Sequence, residues 1–205
     1  MSTPPGVMVH PMALCESDTV GAGTRIWPFA HVMAGAVVGR DCNIGGGAFI
    51  ESGARLGDRV TVKNGCLVWD RVSIADDVFV GPAVTFTNDL RPRAHRHLDA
   101  EDLLPTVVER GATLGANATV VCGTTIGADA FVAAGAVVVS NVRPQALMAG
   151  NPARCIGWVC PCGERLDAAG RCLRCNTVPK SQSPFRAASG ALQGRIPSSP
   201  GDPAA

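Results

Sequence analysis

The chain contains no tyrosine and few other aromatic residues, since Trp and Phe together make up only 4% of it. Charged residues are also scarce, and a net charge of +1 gives no basic surface that would favour nucleic-acid binding. No unbroken apolar run reaches the roughly 18 residues of a membrane-spanning helix, so we expect no membrane insertion. The amino-terminal residues lack a basic segment followed by an apolar run, so we expect no signal peptide. With nine cysteines, these absences predict a reducing, cytoplasmic location.

Apolar residues recur at every sixth position over most of the chain. One run extends without a miss from Leu14 to Phe86, and a second extends from Val108 to Val138. Four positions after each apolar residue lies a smaller one, and Gly, Asn and Asp occupy many of the remaining positions, where they tolerate turn dihedrals. A bend every six residues predicts an all-β solenoid in which three hexads form one triangular coil of about eighteen residues. The first run then supplies about four coils and the second about two more. A narrow interior of this kind also explains the shortage of aromatic rings.

The repeat fails between Phe86 and Val108. The intervening segment is polar and contains Arg91, Arg93 and His95. A loop of this length inside a compact repeat is uncommon unless it is functional. Two interpretations remain open, namely a solvated excursion and a loop that completes a binding site.

Two cysteine pairs follow the repeat. Cys160 and Cys162 form a C-x-C pair, and Cys172 and Cys175 form a C-x-x-C pair. Four thiolates with this spacing can surround Zn²⁺ tetrahedrally, and a metal would substitute for the core that so short a segment lacks. Unligated cysteines and disulfides are the alternatives. We therefore predict a structural zinc site.

These patterns divide the chain into three predicted segments. The solenoid occupies residues 7–158, and a small zinc-binding module occupies 159–179. Residues 180–205 are rich in Ser, Pro, Ala and Gly with few apolar residues, which predicts a disordered tail.

The hexads resemble those of the left-handed β-helix, or hexapeptide-repeat, acyltransferases, and the left-handed sense is implied by that resemblance. Residues 60–94 and 107–138, followed by GNPARCIGW at 150–158, resemble the 3-amino-sugar N-acetyltransferases of nucleotide-linked sugars. Among these are the UDP-2-acetamido-3-amino-2,3-dideoxy-glucuronate and dTDP-3-amino-3,6-dideoxyhexose N-acetyltransferases. The similarity spans about residues 7–160, and its most discriminating part is the TFTND…PRA stretch.

The resemblance implies an enzyme that transfers acetyl from acetyl-CoA to the 3-amino group of a UDP- or dTDP-linked aminosugar, for surface polysaccharide or glycan biosynthesis. It also implies a homotrimer with three active sites, each lying between neighbouring subunits. Acetyl-CoA would lie along the later coils, and the nucleotide sugar would lie near the loop after Phe86. The outward positions of Trp27, Phe29 and Trp69 favour a trimer independently, because a lone solenoid would expose them to water.

The resemblance implies a role for individual residues of the site. Asn88 matches the Asn of the family's FTN motif, which contacts the sugar amine, and Asn64 matches an Asn on the sugar-facing side. Gly135 and Ala136 match backbone positions beside the CoA pantetheine. Arg154 matches the Arg of GNPAR near the CoA phosphates, although it could simply cap the solenoid.

The chain departs from the family pattern in two places. Gly46-Gly47 stands where family members often carry Gln-Asn, and residues 75–77 read Ala-Asp-Asp where they often carry Glu-Asp-Asp. Both departures bear on which sugar and which nucleotide the chain binds.

Acetyl transfer from a thioester to an amine does not require a strong base, because an amine with a pKa of about 8 is partly neutral at pH 7. The resemblance suits a mechanism in which Asn88 positions the amine and the thiolate leaving group accepts the proton. His31, His95 and His97 are the competing candidates for a general base. Arg91 and Arg93 are either a solvated pair or ligands of a substrate carboxylate or diphosphate.

Three other functions compete with this interpretation. A γ-class carbonic anhydrase shares the solenoid, but the four histidines lack the coil spacing that would bring three of them to one metal. A non-catalytic scaffold is a second alternative, and failure to bind acetyl-CoA would support it. The third is an acetyltransferase that acts on a hydroxyl group or on a different amine.

Overall fold

A computed structural model describes residues 6–96, 99–176 and 178. Within them, twenty-one short strands and one 3-10 helix, Ala100–Asp102, form the secondary structure. The first strands are β1 Met8–Val9, β2 Leu14–Cys15, β3 Arg25–Ile26, β4 His31–Val32, β5 Val37–Val38, β6 Asn43–Ile44, β7 Phe49–Ile50, β8 Arg55–Leu56, β9 Thr61–Val62, β10 Leu67–Val68 and β11 Val72–Ile74. The remaining strands are β12 Phe79–Val80, β13 Thr85–Phe86, β14 Thr106–Val108, β15 Thr113–Leu114, β16 Thr119–Val120, β17 Thr125–Ile126, β18 Phe131–Val132, β19 Val137–Val138, β20 Ala146–Ala149 and β21 Arg154–Trp158.

The strands stack into three parallel sheets, which are the faces of a three-sided solenoid. Face 1 has the order β1-β3-β6-β9-β12-β15-β18-β20, with β21 added antiparallel to β20. Face 2 has the order β2-β4-β7-β10-β13-β16-β19, and face 3 has the order β5-β8-β11-β14-β17. The predicted all-β solenoid is confirmed. It has about eight turns rather than six, because β1 and β20 add coils outside the two hexad runs.

Adjacent coils are in an eighteen-residue register. Asn43 pairs with Thr61, and Ile44 pairs with Val62. This confirms the prediction of three hexads in each coil. Between strands the backbone turns through left-handed conformations, which Asp41 adopts at φ 55°. We call the turn from face 1 to face 2 the 1–2 corner and the turn from face 2 to face 3 the 2–3 corner.

The first residue of the predicted hexad run does not belong to it. Cys15, not Leu14, pairs with Val32, so the first coil is one residue shorter than the others. Leu14 is 46% exposed as a result. Its match to the six-residue spacing is coincidental, and the regular inward series begins at Val20, which is buried.

The interior is narrow and mostly apolar. Every hexad residue from Val20 to Phe86 and from Val108 to Val138 is buried, and Phe86 is the largest fully buried side chain. The smaller residues four places later are buried as well, which leaves little room for further rings.

The loop after β13 is an insertion into one coil. Val72 pairs with Thr106, 34 residues later instead of 18, so sixteen residues have been added between two otherwise regular coils. The two ends of the loop lie together, because the amide of Leu104 donates to the Asn88 carbonyl at 3.1 Å. The fold on either side is therefore undisturbed, and the insertion projects from the 2–3 corner.

The carboxyl-terminal segment folds back against the last coil. Arg143 lies over the Trp158 ring, with its guanidinium carbon 4.6 Å from the ring centroid. A second, small apolar cluster follows, formed by Cys160, Leu166 and Cys172. The division into segments 7–158 and 159–179 stays a prediction, and the predicted tail lies outside the described residues. Among those described, no helix is long and apolar enough to cross a membrane.

Candidate active site and metal centre

A cavity of about 620 Å³ opens at the 1–2 corner of the early coils. Two aromatic residues, one run of glycines and three polar side chains contribute most of its wall. The indole Nε1 of Trp27 donates to Asn43 Oδ1 at 2.9 Å, which fixes the orientation of the ring. The lining residues are Trp27, Pro28, Phe29, Asn43, the glycine run 45–47, Lys63 and Asn64.

Of these lining residues, the sequence interpretation identified only Asn64 as a substrate contact. Lys63 was missed, and Phe29 was interpreted only as part of a subunit contact. A signal for Phe29 was available in the repeat: it occupies a corner position that Gly47 and Gly65 fill in the next two coils. An aromatic residue where the repeat normally uses glycine indicates a binding surface.

The predicted CoA-binding residues lie together, farther along the same 1–2 corner. Gly135 is exposed with open space around it, and the turn that precedes Arg154 lies beside it. Two hydrogen bonds join the two segments, from Val137 N to Gly150 O at 3.0 Å and from Ala153 N to Val137 O at 2.8 Å. One edge of the solenoid thus carries both the early cavity and the predicted CoA residues.

The backbone amides of the predicted CoA residues are already engaged. The Gly135 amide donates to Ala116 O, and the Ala136 amide donates to Ala133 O. Gly135 therefore offers an exposed, side-chain-free surface rather than a free donor, whereas Ala136 is fully buried. Arg154 is exposed, and its Nη1 donates to the adjacent Ala153 carbonyl.

Asn88 lies at a different corner of the same chain. It is half-buried just after β13, where the inserted loop leaves the 2–3 corner. Among the described residues, its side-chain amide has no hydrogen-bond partner, so both its donor and its acceptor are available. The loop holds Asn88 through the backbone bond from Leu104.

The two asparagines are separated by the width of face 2. Asn64 lies at the 1–2 corner and Asn88 at the 2–3 corner of the next coil. A six-residue extended path between corners corresponds to roughly 15–20 Å. One chain alone therefore does not bring both side chains to the same small group.

The charged loop residues are exposed and make local contacts. The Arg91 amide donates to Asp89 Oδ1 at 2.7 Å, and Arg96 forms an ion pair with the same carboxylate at 3.5 Å. Arg93 Nη1 donates to the neighbouring Pro92 carbonyl at 3.0 Å. His95 is also exposed, whereas His97 lies outside the described residues.

His31 is partnered rather than free. Its Nε2 lies 2.8 Å from Glu16 Oε2, and its ring meets Phe49 edge-on at 5.3 Å between centroids. Phe49 in turn lies 5.5 Å from Trp69. These three rings form a continuous apolar row on the outside of face 2, which we call the face 2 row.

Carboxylates and guanidinium groups form a ladder along the corner between face 3 and face 1. Arg59 donates to Asp77 through Nε at 2.6 Å and through Nη2 at 3.0 Å. Arg110 Nε donates to the same carboxylate at 3.2 Å. Hydrogen bonds from Arg59 and then from Arg110 lower the pKa of Asp77 to about 2. A second cavity of about 530 Å³ lies beside this ladder, and Pro161 of the carboxyl-terminal segment lines it.

The four cysteines after the solenoid converge as predicted. Their sulfur atoms all lie within 4.8 Å of one another. The Sγ atoms of Cys162 and Cys172 are 3.6 Å apart, close to the roughly 3.8 Å between sulfurs in a tetrahedron with 2.3 Å Zn–S bonds. None of the nine cysteines is in a disulfide. The donor set and its geometry therefore fit a tetrahedral thiolate-bound metal.

The backbone around the cluster supports this arrangement. Gly163 adopts φ 88° just after the first pair, and its amide donates to the Cys160 carbonyl. A backbone hydrogen bond from Glu164 lowers the pKa of Cys162 to about 7, whereas the adjacent Cys162 sulfur raises the pKa of Cys175 to about 12. Four thiolates so close together repel one another, and a divalent cation would offset that repulsion.

Family models match two parts of the repeat. The bacterial transferase hexapeptide (six repeats) model matches residues 19–52, and the hexapeptide repeat of succinyl-transferase matches residues 105–140. The chain is also 47% identical over 158 residues to dTDP-3-amino-3,6-dideoxy-alpha-D-galactopyranose 3-N-acetyltransferase of Aneurinibacillus thermoaerophilus. That alignment covers 77% of this chain and 81% of the relative.

One solved structure with a TM-score above 0.5 supports the fold. The UDP-N-acetylglucosamine acyltransferase from Campylobacter jejuni aligns with a TM-score of 0.52 at 12% identity, over 75% of this chain and 73% of that one. The acetyltransferase domain of PglB from Neisseria gonorrhoeae FA1090, in complex with acetyl coenzyme A, aligns with a TM-score of 0.45 at 21% identity. This second alignment covers 74% of this chain but only 55% of the other.

The repeat, the three-sided solenoid and the extent of the 47% identity lead to one assignment. This chain belongs to the hexapeptide-repeat acyltransferase family.

Proposed function

We propose that the chain is an acetyl-CoA-dependent N-acetyltransferase that acts on the 3-amino group of a nucleotide-linked aminosugar. The observation that carries this proposal is the 47% identity, over 158 residues, to a 3-N-acetyltransferase of a dTDP-linked 3-aminosugar. A dTDP-linked acceptor is therefore the first candidate, and a UDP-linked acceptor is the second.

Asn88 is the residue to which we assign the positioning of the acceptor amine. An amide can both donate to and accept from the amine without carrying a charge. An amine with a pKa of about 8 is partly neutral at pH 7, so attack on the thioester needs alignment more than a strong base. The departing CoA thiolate can take the proton that the amine loses.

Acetyl-CoA is proposed to lie along the late part of the 1–2 corner. Gly135 presents exposed backbone with no side chain there, which lets an extended pantetheine arm approach, and the buried Ala136 follows it in the same turn. Arg154 is exposed beside this surface and offers a guanidinium to the CoA phosphates. Arg91 and Arg93 are proposed to meet the acidic groups of the sugar nucleotide.

A homotrimer is proposed as the active assembly. Asn64 and the CoA residues lie along one corner of the chain, whereas Asn88 and its loop project from another. A site that uses all of them is completed by a second copy, and the face 2 row supplies apolar surface for that contact.

The cysteine cluster is proposed to be a structural zinc site. Cys160, Cys162, Cys172 and Cys175 would supply four thiolates, and two of the four are buried. A metal held there would stabilise a segment whose apolar cluster contains only a few residues. We assign it no part in acetyl transfer.

A thiol-release assay tests the activity directly. The protein is incubated with acetyl-CoA and, in separate reactions, with dTDP- and UDP-linked 3-aminosugars, the corresponding 3-hydroxy sugars and free aminosugars. We expect rapid CoA release only with a nucleotide-linked 3-amino sugar, with the N-acetylated product identified by mass spectrometry. Release with the hydroxy sugars, or with none of the acceptors, would contradict the proposal.

A further inference from the structure

We propose that the cavity at the early 1–2 corner is a nucleotide subsite, in which a pyrimidine base stacks on Phe29 and the diphosphate is bound by Lys63. This inference rests on the proposed function, because it assigns a place to the nucleotide of that substrate. It adds Phe29, Trp27 and Lys63 as residues that determine which nucleotide is bound.

Phe29 occupies a corner position that the repeat fills very differently elsewhere. In successive later coils the same position holds Gly47, Gly65 and Ala83, each donating its amide to the coil below as Phe29 does. Phe29 has φ 63° and is 67% exposed. A bulky residue rarely adopts this left-handed conformation. An exposed ring held in such a conformation adds nothing to the core, so its position is explained better by a ligand.

The glycines of the next coil leave a slot above the two aromatic residues. A Cβ added to Gly45 would come within 2.7 Å of the Asn64 backbone, so close coil stacking requires that glycine. A Cβ added to Gly47 would meet nothing within 4 Å, which means that this position opens directly into the cavity. A flat base can therefore lie between an aromatic floor and a side-chain-free wall.

The cavity has the size and the rigidity of a small-molecule site. Its volume of about 620 Å³ falls within the usual range for ligand pockets. The Trp27 ring is fixed by its hydrogen bond to Asn43, so one wall is preorganised. Preorganised aromatic surfaces bind bases by stacking on the ring face.

The charge of the cavity suits an anion. Lys63 is the only charged residue among those that line it. Within residues 6–96, 99–176 and 178, Lys63 takes part in no ion pair. A single unpaired ammonium beside a stacking surface matches a base that carries a phosphate chain.

The adenine nucleotide of CoA is a poor candidate for this cavity. Gly135 lies five coils beyond Phe29 along the same corner, which is roughly 24 Å at the usual strand spacing of about 4.8 Å. The two ends of the corner are thus far enough apart to hold the two substrates separately.

The first experiment measures the binding of dTDP, UDP and CoA by calorimetry to the full chain and to two variants. Phe29→Asn removes the ring but keeps a residue that tolerates the left-handed backbone. Gly47→Asn, at φ 68°, places a side chain in the slot. We expect both variants to weaken dTDP binding at least tenfold, to leave CoA binding unchanged and to leave the melting temperature unchanged or, for Phe29→Asn, higher.

The matched controls lie on the same surfaces outside the cavity. Ala83→Asn makes the same type of change two coils away at the same corner, and we expect dTDP affinity to stay at the wild-type value. A third test variant, Lys63→Ala, lies in the cavity and should weaken dTDP binding more than thymidine binding. Arg25→Ala, an exposed cation on the same face, should affect neither ligand.

Two results would overturn the subsite. One is wild-type dTDP affinity in Phe29→Asn and Gly47→Asn. The other is loss of the native oligomer in Phe29→Asn without loss of dTDP affinity, which would assign the ring to a contact between copies. If instead the proposed function is wrong, dTDP binding that depends on Phe29 would persist while no 3-aminosugar is acetylated.

Discussion

Asn88 combines partial burial, an unpaired side-chain amide and a fixed backbone, which together suit it to position a neutral amine. Its neighbours in the stack do not share this combination. Asp70, one coil below, carries a charge, and its Oδ1 accepts a hydrogen bond from the Arg71 amide. Cys122, one coil above, is buried. Asn88 is therefore the polar group that the loop insertion leaves available at this corner.

We expect Asn88→Ala to lower kcat/KM by roughly 10²-fold, about 2.7 kcal/mol, the size of one lost transition-state contact. Acetyl-CoA binding and oligomeric state should not change. His95→Ala and His97→Ala are the matched comparisons and should each cost much less. Steady-state kinetics on one aminosugar decides the matter: an inactive histidine variant beside an active Asn88→Ala would make a loop histidine the general base.

Asp77 gives a prediction for stability against pH. Its folded pKa of about 2 lies below the usual value of 3.8, so the carboxylate form is favoured by folding. The stabilisation is complete above the unfolded pKa and is lost as pH falls toward the folded one. We expect Asp77→Asn to lower the melting temperature at about pH 6, with the difference from wild type shrinking between about pH 4 and pH 2. Asp18→Asn, an exposed carboxylate outside the ladder, is the control, and a pH-independent difference for Asp77→Asn would contradict the mechanism.

At the scale of single residues, the repeat could be predicted from the sequence, but the residues that depart from it could not. Spacing alone assigns Leu14 to the interior, because nothing in the sequence marks the first coil as one residue short. The cavity was also missed, since it depends on Phe29 and Lys63 being stacked across three coils. Residue identities along the chain give no direct measure of open space between coils.

The strands follow directly from the hexad. Apart from the first coil, which is one residue short, the departures from the hexad are added segments. The sixteen-residue insertion was located correctly from the loss of phase after Phe86, because a solenoid coil has no other way to accommodate extra residues. The spacing of the two cysteine pairs predicted that four sulfurs converge, because a tetrahedral metal site takes four ligands. The position of each added segment in the sequence did not by itself predict its function.

We expect one zinc ion per chain in protein purified without added metal, measured by elemental analysis. Cys172→Ser should remove it and lower the melting temperature by about 5 °C, because the small cluster loses its main stabilising contact. Acetyl transfer by the folded variant should stay near the wild-type rate. Cys155→Ser, an exposed cysteine outside the cluster, is the control. Metal-free protein with four freely titrating thiols in this segment would contradict the proposal.

The whole molecule places its candidate groups at different corners, and this arrangement supports the proposal of a site completed by a second copy. The predicted CoA residues and the cavity share the 1–2 corner, while Asn88 projects from the 2–3 corner. The face 2 row lies between these two corners on the outer surface, where it is available to a second chain.

We expect the protein to be a trimer at micromolar concentration by light scattering. Trp69→Glu should dissociate it, because the substitution puts a charge into the apolar row, and acetyl transfer should fall with the trimer. Phe79→Glu, at an exposed apolar residue on face 1, is the matched control and should remain assembled. A stable wild-type monomer with full activity would rule out a site shared between subunits.

The strand β21 crosses the end of the solenoid in the opposite direction to every strand beneath it. A parallel stack that ended in an open edge would offer unpaired amides and carbonyls to the next molecule, and copies could join end to end into fibrils. The reversed strand interrupts that template, and the segment that follows it is folded against the same end. The reversed strand therefore caps face 1 at the carboxyl-terminal end of the solenoid, where it opposes the parallel pairing by which another copy could extend the stack.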